Sequence, residues 1–266
     1  MDIAIGQYFP KDSVIHRMDP RTKLLSVIIY MVIIFMAKDV WSFLITGLFT
    51  LAVIIMSKVP VKYYFKGLKP ILIIMIITSL LNLFLSQGKV IYELPYLGWK
   101  ITDEGLKMSV FMVLRLSFLL IGTSALTFTT SPVTLTDGLE ALLRPFSKIG
   151  VPSHEIAMMM TIALRFIPTF AEEADKIKKA QGARGADFSS GSLLARAKAM
   201  IPILVPLFVG AFRRADELAV AMEARCYRGG AGRTSLKKLK FGKRDFLAFM
   251  VMLLLLSGII LIKIFL

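Results

Sequence analysis

Nothing limits this chain as firmly as its apolar runs. Residues 24–37, 40–57, 71–86, 106–130 and 246–266 are long stretches almost without charge. In lipid every backbone N–H and C=O must be satisfied inside the protein, and for runs of this kind the α-helix does so. Crossing the hydrocarbon core takes about 20 residues at about 1.5 Å each. The run 24–37 is short and reaches that length only with its flanks. Hydrophobic residues make up 56% of the 266 positions, and the mean hydropathy is +0.70, too apolar for a soluble domain with a polar surface. The expected fold is therefore all-α: a polytopic helical membrane protein with about five transmembrane helices, plus long helices on the cytoplasmic side.

The positions of the charges orient it. The net charge is +15, and three basic segments fall on one side of a five-span arrangement. They are residues 1–23, the loop carrying Lys58, Lys62, Lys66 and Lys69, and residues 236–244. The other side carries Lys38, Lys89 and Lys100, diluted by Asp39, Glu93, Asp103 and Glu104. Loops rich in Lys and Arg stay in the cytoplasm, which places the N-terminus inside and the C-terminus outside. The same bias explains the basic excess without nucleic acid as a partner. No small-residue cleavage site follows the first apolar run, so no removable signal peptide is read. Tyr92, Tyr96 and Trp99 in the connection 87–105 form an interfacial aromatic set. Three parts result: an N-terminal membrane domain, 1–130, with four spans; a cytoplasmic-side helical domain, 131–235; and a basic linker with the last helix, 236–266.

The middle part repeats one pattern. Ser131-Pro132 reads as a helix start, with Leu135, Leu139, Leu142, Leu143 and Phe146 as an apolar stripe suited to lying at the membrane interface. Gly150 and Pro152 end that helix, and Ser153 is expected to cap the next, with Glu155 in its first turn. In that longer helix Ile156, Met159, Ala163, Ile167, Phe170, Ala174 and Ile177 share one face, apolar at first and charged from Glu172 onward. It ends at Ala183-Arg184-Gly185 after about 43 Å, with Pro168 as an expected kink. A second long helix, about 193–225, lines up Leu207, Ala211, Ala215, Leu218 and Met222 and ends at Ala224-Arg225-Cys226. Its alanines at 211, 215, 219, 221 and 224 leave a slim surface for a close helix crossing. Arg213 and Glu217 stand four apart, a weakly favourable pair.

Two readings of the arginines stay open. A cation in the last turn suits the negative end of a helix dipole, and a glycine beyond it stops the helix. Alternatively, two planar, permanently charged forks are presented at helix tips to enter pockets of other proteins, small neighbours permitting close approach. The topology also has a rival: 158–170 and 201–212 are apolar, but each is only about a dozen residues long and holds proline, which favours interfacial or buried helices over spans.

Catalytic patterns are missing. Residues 229–235 are glycine-rich but lack the spacing and the lysine of a phosphate-binding loop. Neither His-Glu-x-x-His nor Gly-x-Ser-x-Gly occurs, and His16 and His154 read as interfacial or capping residues. Cys226 is the single cysteine, so no internal disulfide forms, and no Cys/His set exists for zinc. No cofactor is expected. Arg115, about ten residues into the fourth span, must face the bundle. It either ties helices together through carbonyls or Asn82, or contacts an ion or substrate. Met158, Met159 and Met160 are lipid-facing filler or an adaptable docking surface.

Four segments together resemble a known family: residues 16–24 (His-Arg-Met-Asp-Pro-Arg-Thr-Lys-Leu), 164–168 (Leu-Arg-Phe-Ile-Pro), 180–185 (Ala-Gln-Gly-Ala-Arg-Gly) and 223–229 (Glu-Ala-Arg-Cys-Tyr-Arg-Gly). The family is the transmembrane coupling subunits, or T components, of energy-coupling factor transporters, ABC-type importers of vitamins and transition metals. The likeness runs along nearly the whole chain and the motifs show no departure; the second closes on Cys226 instead of glycine, at a position where the family is tolerant. The resemblance implies a non-catalytic subunit of a bacterial cell-membrane transporter. Two cytoplasmic ATPases would receive Arg184 and Arg225 in surface grooves. A small membrane-embedded S component, one of several interchangeable ones, would bind the substrate and dock on the spans and the apolar halves of the long helices. The competing class is a stand-alone secondary carrier with Arg115 in its substrate path; a membrane enzyme finds no acid–base or metal constellation to support it.

Overall fold

A computed structural model describes residues 8–93, 100–186, 188, 192–230 and 239–265. The chain divides into two units, one built from 8–138 and 239–265, the other from 139–230.

In the first unit, α1 (Pro20–Met36) starts where its sequence says a helix should. The Asp19 side chain accepts a hydrogen bond from Arg21 N, and Pro20 occupies the first turn, where its missing N–H costs nothing. A tight turn leads to α2 (Val40–Ser57). The segment bearing Lys58, Lys62, Lys66 and Lys69, expected as a basic loop, is largely helical. It forms α3 (Val61–Leu68), which a 3₁₀ turn (Lys69–Ile71) joins to α4 (Leu72–Leu85). The reason is its spacing: Lys62, Lys66 and Lys69 line the exposed face of a helix while Tyr64 is buried on the other. An antiparallel ribbon of β1 (Val90–Glu93) and β2 (Lys100–Thr102) connects α4 to α5 (Asp103–Thr129). The Tyr92 side chain, Tyr96 and Trp99 lie outside the described residues. The unit closes with α9 (Lys243–Phe265).

α5 is the common neighbour of α1, α2, α3 and α4, and α1 packs on α9 as well. Small residues let the backbones approach, as membrane helices require. A Cβ at Gly105 would come within 2.8 Å of the Leu83 carbonyl oxygen, and one at Gly122 within 2.2 Å of the Tyr30 ring. Ser79 and Ser109 pair through their hydroxyls between α4 and α5. Ile33, Ile34 and Ile259, all fully buried, form the main core with Tyr30 and Met252. Val59, Tyr64, Ala125 and Phe128 form a second.

Among the described residues five helical stretches are long and apolar enough to cross a membrane; four correspond to the expected runs 40–57, 71–86, 106–130 and 246–266, and the fifth lies elsewhere than 24–37. They are α2, the α3–α4 stretch Val61–Leu85, α5, Leu194–Ala224 and α9. α1, with 17 residues, reaches only about 25 Å, short of a core about 30 Å thick. The expectation read 201–212 alone; once the helix is continuous through Pro202 and Pro206, its length qualifies. The fold class stands: an all-α polytopic membrane protein, with one small ribbon among the described residues.

α6 (Pro132–Leu143) begins as its sequence implies, Ser131 Oγ accepting from Thr134 N at 3.4 Å. A 3₁₀ turn (Arg144–Ile149) follows and ends at Gly150, which takes φ +88°. In the second unit α7 (Ser153–Ala183) and α8 (Leu193–Ala224) are the long helices. Ser153 is the first residue of α7, not its cap; Pro152 holds that position and offers no side-chain bond. Ser192 caps α8, accepting from Ala195 N at 3.3 Å.

Candidate functional site

The two Ala-Arg motifs fold alike to the level of single hydrogen bonds. At the end of α7, Gly185 N donates to Gly182 O at 3.0 Å, and Ala186 N donates to Gln181 O, also at 3.0 Å. At the end of α8, Cys226 N donates to Glu223 O at 2.9 Å and Tyr227 N to Met222 O at 3.0 Å. Both are complete Schellman motifs, with the arginine at the C-cap and the next residue left-handed. Gly185 takes φ +87°, as glycine readily does, whereas Cys226 takes φ +58° with a Cβ in place. Arg184 and Arg225 are therefore the last residues before the chain turns away. Both are exposed, and neither guanidinium has a partner among the described residues. The remainder of the glycine-rich stretch after Gly230 lies outside those residues. Gly230 itself packs on the His154 ring, which would sit 2.9 Å from an added Cβ. His154 in turn pairs through Nδ1 with Glu140 at 2.9 Å.

The arginine tips are held by a helix crossing that sequence reasoning mislaid. Of the expected slim face, Ala211 turns inward, but Ala215, Ala219, Ala221 and Ala224 are exposed. α7 and α8 meet where Glu173 faces Gly210 and Arg214. A Cβ on Gly210 would stand 3.3 Å from Glu173 Oε1, the Glu173–Arg214 ion pair spans 2.6 Å, and the Arg214 guanidinium lies 5.2 Å from the centre of the Phe170 ring. The inward stripe of α8 is thus Leu207, Gly210, Ala211, Arg214, Leu218 and Met222, the expected one with Gly210 added and Arg214 in place of Ala215. A Cβ at position 210 would crowd this carboxylate, which is the signal that was available. Arg184 and Arg225 each stand eleven positions beyond a member of that ion pair, about 16 Å along either helix. The expected Arg213–Glu217 pair forms at 3.7 Å but is too exposed to contribute much.

On α7 the expected stripe divides. Ile156, Phe170, Ala174 and Ile177 are half-buried, while Met159, Ala163 and Ile167 face outward. In the methionine run Met158 is half-buried, Met159 is 59% exposed and Met160 37%. Along α8, Leu204, Val205, Phe208, Val209 and Phe212 are likewise exposed. The unit thus carries a continuous supply of apolar side chains that its own fold does not cover.

Arg115 is tied within the first unit. Its Nη2 donates to the Ala37 carbonyl at 2.8 Å, and the guanidinium lies 5.8 Å from the centre of the Phe43 ring. Ala37 caps the C-terminus of α1, where carbonyls lack helical partners, so a cation there answers the shortness of that helix. Asn82, the other expected partner, donates instead to Thr78 O at 2.8 Å.

The N-terminal signature folds into a buried polar knot. Lys23 donates to His16 O, Thr129 O and Thr130 Oγ1, at 3.2, 2.9 and 3.2 Å. Asp19 N donates to Asp245 Oδ1 and Gly242 N to Asp245 Oδ2, both at 2.8 Å. Asp245, 4% exposed, went unremarked in the sequence, although a carboxylate three residues after Gly242 at a helix start is a capping pattern. His16 Nε2 donates to Phe9 O at 3.0 Å, so Nδ1 accepts from Ser13 Oγ at 2.7 Å. Burial holds the His16 pKa below the ordinary histidine value, with the Phe9 carbonyl opposing. Among the described residues no three His, Cys, Asp or Glu side chains gather as metal ligands.

The chain matches the family described as cobalt transport protein (CbiQ) over residues 11–236. It is 56% identical over 257 residues to the energy-coupling factor transporter transmembrane protein EcfT of Thermosediminibacter oceani, covering 97% of this chain and 96% of that one. The protein of the same name from Clostridium kluyveri is 58% identical over 257 residues, 96% and 94% of the two chains. That from Bacillus subtilis is 48% identical over 244 residues, 91% of each.

Proposed function

Because this chain belongs to the family of energy-coupling factor transporter transmembrane proteins, we propose that it is the coupling component that converts ATP-driven motion of two cytoplasmic ATPases into substrate release from a separate S component. One observation supports this reading: two helices end in Schellman turns with the same hydrogen-bond pattern, each with an exposed arginine at its cap that has no partner among the described residues. A helix that needed only its dipole neutralised would do so with any cation in the last turn. Identical presentation of Arg184 and Arg225, on arms of equal length, suits two related grooves on a pair of ATPases. Ala183 and Gly185 on one tip, Ala224 and Cys226 on the other, keep the approach free of bulk. The exposed apolar halves of α7 and α8, with Met159 and Met160, are the place for the S component. The chain itself hydrolyses nothing in this scheme. Arg115, held by the Ala37 carbonyl and Phe43, acts as a fastening and not as part of a substrate path.

Arg184→Glu and Arg225→Glu test it. Each is expected to weaken ATPase docking by about 2–5 kcal/mol and to abolish uptake, with membrane insertion intact. Dipole completion alone predicts a loss of only about 0.3–1 kcal/mol. Normal uptake by the double variant would remove the coupling assignment. The same reading puts the α8 tip in the cytoplasm, so exposed Cys226 is expected to react with an impermeant maleimide only after permeabilisation. Labelling in sealed cells would reverse the orientation.

A further inference from the structure

The first unit contains an apolar slot of about 240 Å³ between α1, α2, α5 and α9. Its lining runs from Lys23 to Tyr30 on α1 and from Arg244 to Met252 on α9, a depth of about 10–12 Å along the helix axes. Its walls are apolar side chains of four helices, an environment suited to hydrocarbon. One flank is open: Met56 on α2 and Leu247 and Val251 on α9 line it and are exposed. Since α2 and α9 are both long and apolar enough to cross the membrane, that opening faces lipid. An apolar space of about 150 Å³ already stays dry and takes up a hydrophobic guest.

The two ends of the slot differ. Its floor is the Tyr30–Met252 core, while its mouth is cationic. Lys23 is fully engaged by its three oxygen acceptors, whereas Arg244 at the mouth is exposed and makes no hydrogen bond or close ion pair among the described residues, feeling only the more distant charge of Asp12, which Arg17 already binds. Lys243 adjoins it and Lys58 follows the end of α2, whereas the carboxylates at this end are already committed, Asp12 to Arg17 and Asp245 to backbone amides. One turn below Lys23, about 4–5 Å deeper, Ser26 lines the slot with its hydroxyl buried and unpaired. A buried hydroxyl without a partner is costly and calls for an acceptor.

We infer that this slot holds one acyl chain of an anionic glycerophospholipid, its phosphate against Arg244 and its ester carbonyl accepting from Ser26. The order of the slot matches the order of the molecule: phosphate, then ester, then hydrocarbon. A free fatty acid has no ester below its charge, and a zwitterionic headgroup would set an ammonium against the basic mouth.

The full-length chain, purified without partners, is exchanged into equal mixtures of phosphatidylglycerol and phosphatidylcholine with the same acyl chains. Native mass spectrometry then counts the lipid retained. The expected result is one phosphatidylglycerol per chain, preferred at least tenfold. Ala248→Phe, which fills the slot, is expected to lose it, and Arg244→Gln to remove the preference. Val32→Phe, on an exposed face of α1 away from the slot, is expected to retain it. Ser26→Ala changes no packing volume of note and is expected to lower retention severalfold, which preserves the test if Ala248→Phe fails to fold. Equal retention of the two lipids, undiminished binding by Arg244→Gln and Ser26→Ala, or a dimer in place of a lipid adduct would overturn the inference. Because the measurement needs no ATPase, its failure is separate from any failure of the coupling role.

Discussion

Replacing Glu173 and Arg214, singly and together, probes the contact on which both arginine tips depend. Fully exposed ion pairs are worth about 0.2–1 kcal/mol, while removing one partner of a buried pair costs about 3–5 kcal/mol. The Arg214 and Glu173 side chains are 27% and 29% exposed, between those limits, so the expected coupling between them is about 1–2 kcal/mol. Arg214→Gln also gives up its stacking on Phe170, about 0.5–1 kcal/mol more, and should be the costlier single change. Glu173→Gln, Arg214→Gln and the double variant form a cycle that cancels the stacking and isolates the pair. Equilibrium unfolding in mixed micelles supplies the energies. Substrate taken up per ATP hydrolysed, in proteoliposomes with the ATPases and S component, supplies the functional reading, which is expected to fall severalfold in each variant. A coupling below about 0.2 kcal/mol, together with an unchanged uptake-to-hydrolysis ratio, would refute the claim that this crossing fixes the tips.

Two further perturbations follow from local geometry. Arg115→Met strips the Ala37 carbonyl of its donor within the bundle and is expected to destabilise the first unit by about 1–3 kcal/mol, with Arg115→Lys recovering part of it; a loss confined to transport, with unfolding unchanged, would return Arg115 to a substrate path. Cys226→Gly relieves a left-handed residue of its Cβ and is expected to stabilise the α8 tip by about 1 kcal/mol, read as slower amide exchange at residues 226–227, while Cys226→Val does the opposite; equal exchange in all three would show that the turn is not strained.

The sequence disclosed what depends on neighbours along the chain and concealed what depends on neighbours across it. Ala-Arg-Gly after a long periodic stretch announces a helix end, so the tips were legible down to the residue. The lysines of α3 were weighed by charge and not by their spacing, so a helix was taken for a loop. The α8 stretch was not read as long enough to span because length was judged from uninterrupted apolarity, and the prolines of α8 did not break the helix. Glu173–Arg214 and Asp19–Asp245 join positions 41 and 226 apart, and no local pattern brings such residues together. Gly210, a poor helix former in a helix interior, was the one local sign that something had to fit beside it.

The crossing of α7 and α8 also fixes a mechanical advantage. From Glu173 and Arg214 the tips are about 16 Å away, but the opposite ends, Ser153 and Leu193, are about 30 Å away along the helices. Helices joined at one point behave as shears with blades about twice as long as their handles. Closing the handles by about 10° moves each arginine by about 3 Å and each far end by about 5 Å. In the coupling proposed above, a pivot at this crossing would gear small strokes at the arginines up into larger ones along the apolar blades, at about half the force.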